Sequence, residues 1–221
     1  MIEDFINKDK NKTFLEHEVK GILKGMGFYV PKGIFISKEM ISQIPEIVNI
    51  PYPLAAKVSS SKIISKSDVH GVRTGLKNRD ELKRAVIELM QIEHAEGVLV
   101  EEMAPEGLEV IIGGVIDEQF GPVVMFGLGG VFVELFKDVA FGLAPLKRSD
   151  ALGLIKQTRG YRLLEGYRGM PPVDIDNLLN MIVTVSEIIA TGLIKEIDLN
   201  PVALYPASYK ESAMILDAKM L

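Results

Sequence analysis

Cysteine is absent from this chain of 221 residues, which excludes disulfides, thiol catalysis and cysteine-based zinc sites. Histidine is scarce: His17, His70 and His94 are the only ones. A basic excess is also missing. The formal net charge is −5, which argues against a general nucleic-acid binder, whose affinity comes from neutralising phosphates; a local basic pocket for a nucleotide is compatible with it. The start, Met1-Ile-Glu-Asp-Phe5, lacks the basic-then-apolar pattern of a secretion signal. The longest apolar region, Leu178 to Ile194, is broken by Asn180, Ser186 and Glu187, so it does not read as a membrane span. Internal repeats and low-complexity tracts are lacking as well. What is present is 48% hydrophobic and 25% charged, the composition of a soluble globular protein. A cytoplasmic protein is expected, with length enough for one large domain or two small lobes.

The periodicities predict mixed helices and strands. Thr13-Phe-Leu-Glu16 reads as a capping box, and Leu15, Val19, Ile22, Leu23 and Met26 then recur at helical spacing until Gly27. Strands are expected at Phe28–Val30, Gly33–Ile36 and Pro53–Val58, with a short helix after Ser37. Asn78 caps a helix that turns Leu82, Val86, Leu89 and Met90 inward. Strands at Gly97–Met103, Leu108–Ile116 and Pro122–Phe126, joined by turn signals such as Gln119-Phe-Gly-Pro122, precede helices near Ser149–Gln157 and Ile175–Thr191. The lobe boundary is placed near Gly97, giving lobes over 1–97 and 98–221.

The closing strands carry the strongest chemical signal. In Glu196-Ile-Asp-Leu-Asn200 the polar residues alternate with apolar ones, so Glu196, Asp198 and Asn200 share one strand face while Ile197 and Leu199 share the other. Asp217 is expected in an apolar strand, that of Ala213 to Leu216, where an unpaired carboxylate is costly. Oxygens converging from neighbouring strands suit Mg²⁺, which takes one or two protein oxygens plus nucleotide phosphates; a pair of wet edge strands fits the same spacing.

Other constellations are weaker, and each has two readings. Lys57 lies inside the apolar run Leu54–Val58, which implies either an anion that meets the ammonium or a side chain snorkelling from a strand end. The loop Ser59–Gly71, rich in hydroxyls and lysines, can offer Lys66 and backbone N–H groups to phosphates, or can simply be solvated. Glu101, Met103 and Glu109 read as an edge segment able to present a backbone pair to adenine and a carboxylate to ribose. The glycines of Phe126-Gly-Leu-Gly-Gly130 permit close backbone approach or a tight turn. Gly-x-Gly-x-x-Gly spacing is absent, so no dinucleotide-binding fingerprint is present.

Taken in order, Ala55-Ala-Lys-Val58, Lys66-Ser-Asp68, Gly71-Val72, Glu109-Val-Ile-Ile-Gly113, Phe120 to Gly130, Glu134 with Lys137-Asp-Val139, Gly166-Tyr-Arg-Gly169, Glu196–Pro201 and Leu216–Lys219 resemble a known family over essentially the whole chain. That family is the ATP-grasp β subunit, or β-like domain, of ADP-forming acyl-CoA synthetases; the β subunit of succinyl-CoA synthetase is similar more remotely. The resemblance implies an α/β (α+β) ATP-grasp fold of two lobes with nucleotide bound between them. It implies Lys57 and Lys66 on ATP or ADP phosphates, Glu101 and Met103 at adenine, Glu109 on the ribose, and Mg²⁺ on Asn200 and Asp217. It also implies an α subunit that binds CoA and carries a phosphohistidine, an α2β2-type assembly, and the reaction acyl-CoA + ADP + phosphate = acid + CoA + ATP. No nucleic acid or membrane partner is implied.

The chain departs from the family in two places. The pattern His-Lys-Ser-Asp-x-Gly-Gly has Ser65 at its histidine and His70 at its first glycine, which leaves His70 as the catalytic candidate for any second phosphoryl relay. The arginine usual after Asp-Val-x-Phe is replaced by Gly142. Competing readings are another ATP-grasp ligase, succinyl-CoA synthetase-like or carboxylate–amine, and a regulatory ATP-binding subunit without turnover.

Overall fold

The computed structural model describes residues 13–44, 48–63, 65–130 and 136–221; Glu134 and the rest of the 131–135 stretch lie outside them. The described chain falls into two compact units, one of Thr13–Gly21 with Pro31–Pro105 and one of Ile22–Val30 with Glu106–Leu221. Helix α1 (Glu16–Gly25) contributes to both. Its cap lies two residues later than the expected capping box: the Glu18 carboxylate accepts from the Leu15 N–H at 2.9 Å.

The first unit is built on an antiparallel sheet of β1 (Gly33–Ser37), β2 (Leu54–Ser59), β3 (Val72–Leu76) and β4 (Gly97–Glu102), in the order β1-β4-β2-β3. Strand alternation sends Leu54, Ala56 and Val58 to one face, where they join Ile36, Val98 and Val100 and the apolar side of α2 (Arg79–Leu89), namely Leu82, Val86 and Leu89. Asn78 caps α2 as expected, its side chain accepting from the Glu81 N–H at 3.0 Å. Because β4 pairs with β1 and β2, it lies within this unit, and the units divide after Pro105, not at Gly97. A 3-10 turn at Lys38–Gln43 stands where a short helix is expected.

The second unit holds a six-stranded sheet, β10-β8-β5-β6-β7, with β9 also on β8. Its strands are β5 (Leu108–Asp117), β6 (Gly121–Leu128), β7 (Val139–Leu143), β8 (Glu196–Leu204), β9 (Ala213–Ile215) and β10 (Ala218–Met220). One face buries Ile112, Val124, Phe126, Ile197 and Leu199, and helix α5 (Ile175–Ala190) packs on β5, β6 and β8. Helix α3 (Arg148–Lys156) packs on α5 and β7. By register, the other face carries Val115, Val123, Met125, Phe141 and Leu143 together with Glu196 and Asp198. Strand β7 and the short α4 (Tyr161–Leu164) are additions to the sequence reading. Phe28–Val30 forms no strand; the Tyr29 carbonyl accepts a single bond from the Ile215 N–H at 2.9 Å. Among the described residues no helix is long and apolar enough to cross a membrane.

Candidate functional site

The polar face of the first sheet, opposite its core, holds a buried ion cluster. Lys57 on β2 and Glu101 on β4 are diagonal neighbours, since Ala55 pairs with Glu101 and Lys57 with Leu99. Glu16 and Lys20 reach them from α1, one helical turn apart. The Glu101 carboxylate accepts from Lys57 at 2.8 Å and from Lys20 at 2.7 and 2.8 Å. Glu16 pairs with Lys20 at 2.8 Å, Lys66 at 3.0 Å and Lys57 at 3.4 Å. An anion does meet Lys57, which is 9% exposed and does not snorkel. Gly33 makes room for the cluster, because a Cβ there would stand 2.8 Å from the Glu101 Cγ. Burial pushes the Glu16 carboxyl up, but Lys57, Lys20, Lys66 and the Lys20 hydrogen bond outweigh it and hold the group well below the usual carboxylate range. Among the described residues, three ammoniums of this cluster face two carboxylates.

Glu101 therefore does not belong to an edge segment. Strand β4 is internal, its backbone pairing on both sides, and the Glu101 carboxylate is buried among lysines. Met103 lies just past the strand end; its N–H donates to the Pro53 carbonyl at 3.3 Å and its Sδ accepts from the Gly75 N–H at 3.0 Å.

The loop after β2 closes tightly. The Gly71 N–H donates to the Lys66 carbonyl at 2.6 Å, and a Cβ on Gly71 would stand 2.4 Å from Val58 Cγ1. Ser65 Oγ accepts from the Asp68 N–H at 3.3 Å, so the serine caps the turn. His70 is exposed and has φ +49°, a left-handed backbone that glycine, the pattern's residue at this position, adopts without strain. His17 stays in α1 and stacks on Phe35 with centroids 4.2 Å apart. His94 follows α2 in a turn, also at positive φ.

In the second unit the expected alternation on β8 is observed: Ile197 and Leu199 are buried, Glu196 and Asp198 half-buried, Asn200 exposed. Between Val110/Val202 and Ile112/Leu199 the register shifts, so β8 holds one extra residue at Asn200-Pro201. A bulge re-aims the side chains beside it. Strands β9 and β10 pair with successive stretches of β8. Asp217 lies in the bend between them and not at the end of one continuous strand, which corrects the sequence reading. The Leu216 N–H donates to the Pro201 carbonyl at 2.9 Å and the Asn200 N–H to the Asp217 carbonyl at 3.2 Å. The structure thus brings Asn200 and Asp217 together. Both offer hard oxygen donors suited to Mg²⁺. Among the described residues no group of three His, Asp or Glu side chains could hold a metal by itself, so a metal on this pair would draw its further oxygens from water or from a ligand.

Glu109 is exposed near the start of β5. Gly129 packs on its backbone, where a Cβ would stand 2.9 Å from the Glu109 carbonyl carbon, and the Gly129 N–H donates to that carbonyl at 2.7 Å. This glycine thus serves an approach within the chain. At Gly142 a Cβ would meet Leu146 and Leu154 at 3.3 and 3.6 Å, on the helix-covered side.

Glu16 and Lys20 escape the sequence reading. Their i,i+4 spacing was visible, but it is the spacing of an ordinary surface pair; only the contacts with β2 and β4, 41 to 81 residues away in sequence, bury it.

The family model of the ATP-grasp domain matches residues 6–221. The acetate–CoA ligase [ADP-forming] I subunit beta of Pyrococcus furiosus is 40% identical over 222 residues, covering 97% of this chain and 94% of that one. The succinate–CoA ligase [ADP-forming] subunit beta of Anaplasma marginale is a distant relative, 24% identical over 93% of this chain and 55% of that one. Among solved structures, the dinucleotide-forming acetyl-coenzyme A synthetase 1 of Ca. Korarchaeum cryptofilum, in complex with coenzyme A, Ca-AMPCP and HgCl+, superposes with a TM-score of 0.86 at 39% identity, covering 100% of this chain and 99% of that one. On these matches, and with this fold, the chain belongs to the ATP-grasp family and, within it, to the β subunits of ADP-forming acetate–CoA ligases.

Proposed function

We propose that this chain is the nucleotide-binding half of an ADP-forming acyl-CoA synthetase, acting in the cytoplasm with an α subunit in an α2β2-type assembly. The α subunit binds CoA and the acyl group and carries the phosphohistidine. Phosphoryl passes from that histidine to ADP: the N–P bond breaks, a new P–O bond forms on the terminal ADP oxygen, and acyl-CoA, ADP and phosphate become acid, CoA and ATP. The observation that carries this reading is the two-way coverage with the Pyrococcus furiosus β subunit.

On this chain, Lys57 and Lys66 meet nucleotide phosphates, offsetting the charge that develops in transfer. The gathering of both ammoniums in one cluster supports that role. Glu101 acts beneath them by holding Lys57, while Met103 is the contact nearest adenine and Glu109 takes the ribose hydroxyls. Asn200 and Asp217 would hold Mg²⁺, which screens phosphate charge when bound. Any phosphoryl relay through this chain would use His70. Its exposure and left-handed backbone favour direct delivery from the α subunit, with the loop as a phosphate clamp.

Ser65, committed to capping its turn, and Gly142 favour a second reading, an ATP-binding subunit without turnover. Supplying a cognate α subunit separates the two. Synthetase function predicts ATP formation from acetyl-CoA, ADP and phosphate only when both chains are present; nucleotide binding without ATP formation would leave the regulatory reading.

A further inference from the structure

Within the ion cluster the three lysines differ in contact length and exposure. Lys20 is enclosed by both carboxylates, with contacts of 2.7 to 2.8 Å. Lys57 lies 2.8 Å from Glu101 and 3.4 Å from Glu16. Lys66 is the most open of the three, its side chain 20% exposed, and the Glu16 Oε2 lies 3.0 Å from its ammonium. That same Oε2 is buried without a hydrogen bond of good geometry. Glu16 therefore reaches both lysines assigned to phosphate, Lys57 through the Oε1 that it shares with Lys20 and Lys66 through an Oε2 whose own needs are poorly met.

Resting on the nucleotide-site reading above, we propose that Glu16 is a positioning residue that occupies the phosphate's place on Lys66 and Lys57, and that nucleotide binding exchanges its carboxylate for phosphate oxygens. The physical case is one of competition. Both anions address the same ammoniums, and a phosphate brings more charge than one carboxylate. Without nucleotide, Glu16 offsets the charge of the lysines it touches, whose burial would otherwise be costly. With nucleotide, that same carboxylate opposes the incoming anion, so it weakens affinity and eases release. Lys20 retains Glu16 after the exchange, because its contacts do not involve Lys66.

The test is calorimetric titration of MgADP into wild type and Glu16→Gln, with ligand-free thermal melting of both. Glu16→Gln should tighten MgADP about tenfold, the worth of one pKa unit of charge interaction, while lowering the ligand-free melting temperature. A purely structural glutamate would lower the melting temperature and leave affinity unchanged or weakened, and that result would overturn the proposal. If Glu16→Gln does not fold, Glu16→Asp serves: it keeps the charge near Lys20 but draws it back from Lys66, and should tighten MgADP about two- to threefold; unchanged or weaker binding overturns the proposal here too. Failure of wild type itself to bind MgADP would overturn the nucleotide-site reading and this inference together, whereas wild-type binding without tightening in the variants overturns the inference alone.

Discussion

Lys57 has two tasks, and a single substitution separates them. Its ammonium compensates the buried Glu101 carboxylate at 2.8 Å and, in the proposed function, grips phosphate. Lys57→Met should weaken ATP binding by about 1.5–3 kcal/mol, the worth of a charge-assisted hydrogen bond, and should also lower the melting temperature because Glu101 loses a partner. Unchanged affinity in a folded variant would remove Lys57 from the phosphate site. Gly71 poses the reverse problem, one of space. Its missing Cβ leaves room for Val58, so Gly71→Ala should cost about 1–3 kcal/mol by overpacking, measurable by urea unfolding. His70 next to it has the left-handed backbone without a glycine's freedom. His70→Gly should leave stability the same or raise it by up to about 1 kcal/mol, and with a cognate α subunit ATP formation should persist. A sharp loss of ATP formation in that variant would make His70 a phosphoryl carrier.

Elements differ in how much of themselves they state locally. Helix α2 was fully legible, from its Asn78 cap to its inward Leu82, Val86 and Leu89, because cap and face both lie within a dozen residues; Asn78→Ala should cost about 1 kcal/mol by the same logic. The alternation of Glu196, Asp198 and Asn200 was legible for the same reason. The bulge at Asn200-Pro201 and the bend at Asp217 were not: each exists only through pairing with a neighbouring strand, and no local periodicity marks where a ladder slips. Strand β7 hid likewise, as an edge strand with Phe141 and Leu143 exposed and Ala140 buried, so its alternation opposes the usual hydropathy pattern. Together the bulge and the bend bring the backbones of Asn200 and Asp217 within one hydrogen bond of each other. Asn200→Ala with Asp217→Ala should therefore abolish the magnesium dependence of nucleotide affinity while leaving metal-free binding nearly intact. Magnesium tightening that survives the double change would put the metal elsewhere.

Across the whole molecule, family and fold were legible because the ordered motifs span most of the chain, whereas the ion cluster was not, because α1, β2 and β4 supply it from distant parts of the sequence. The cluster also leaves a signature in acid stability. The folded Glu16 carboxyl is depressed below its ordinary value of 4.5, so the unfolded chain binds the proton more readily. The stability contributed is full above that ordinary value and is lost as pH falls below it. The urea midpoint of wild type should accordingly fall more steeply than that of Glu16→Gln between about pH 5 and pH 3; parallel profiles would show that the carboxyl is not held down in the fold.

The central claim, that this chain is the nucleotide-binding half of an ADP-forming synthetase, is tested most directly by calorimetric titration of the isolated chain with ADP and ATP, with and without Mg²⁺. The account predicts saturable binding of one nucleotide per chain, tightened by Mg²⁺. Absence of binding by both nucleotides in the presence of Mg²⁺ would contradict it.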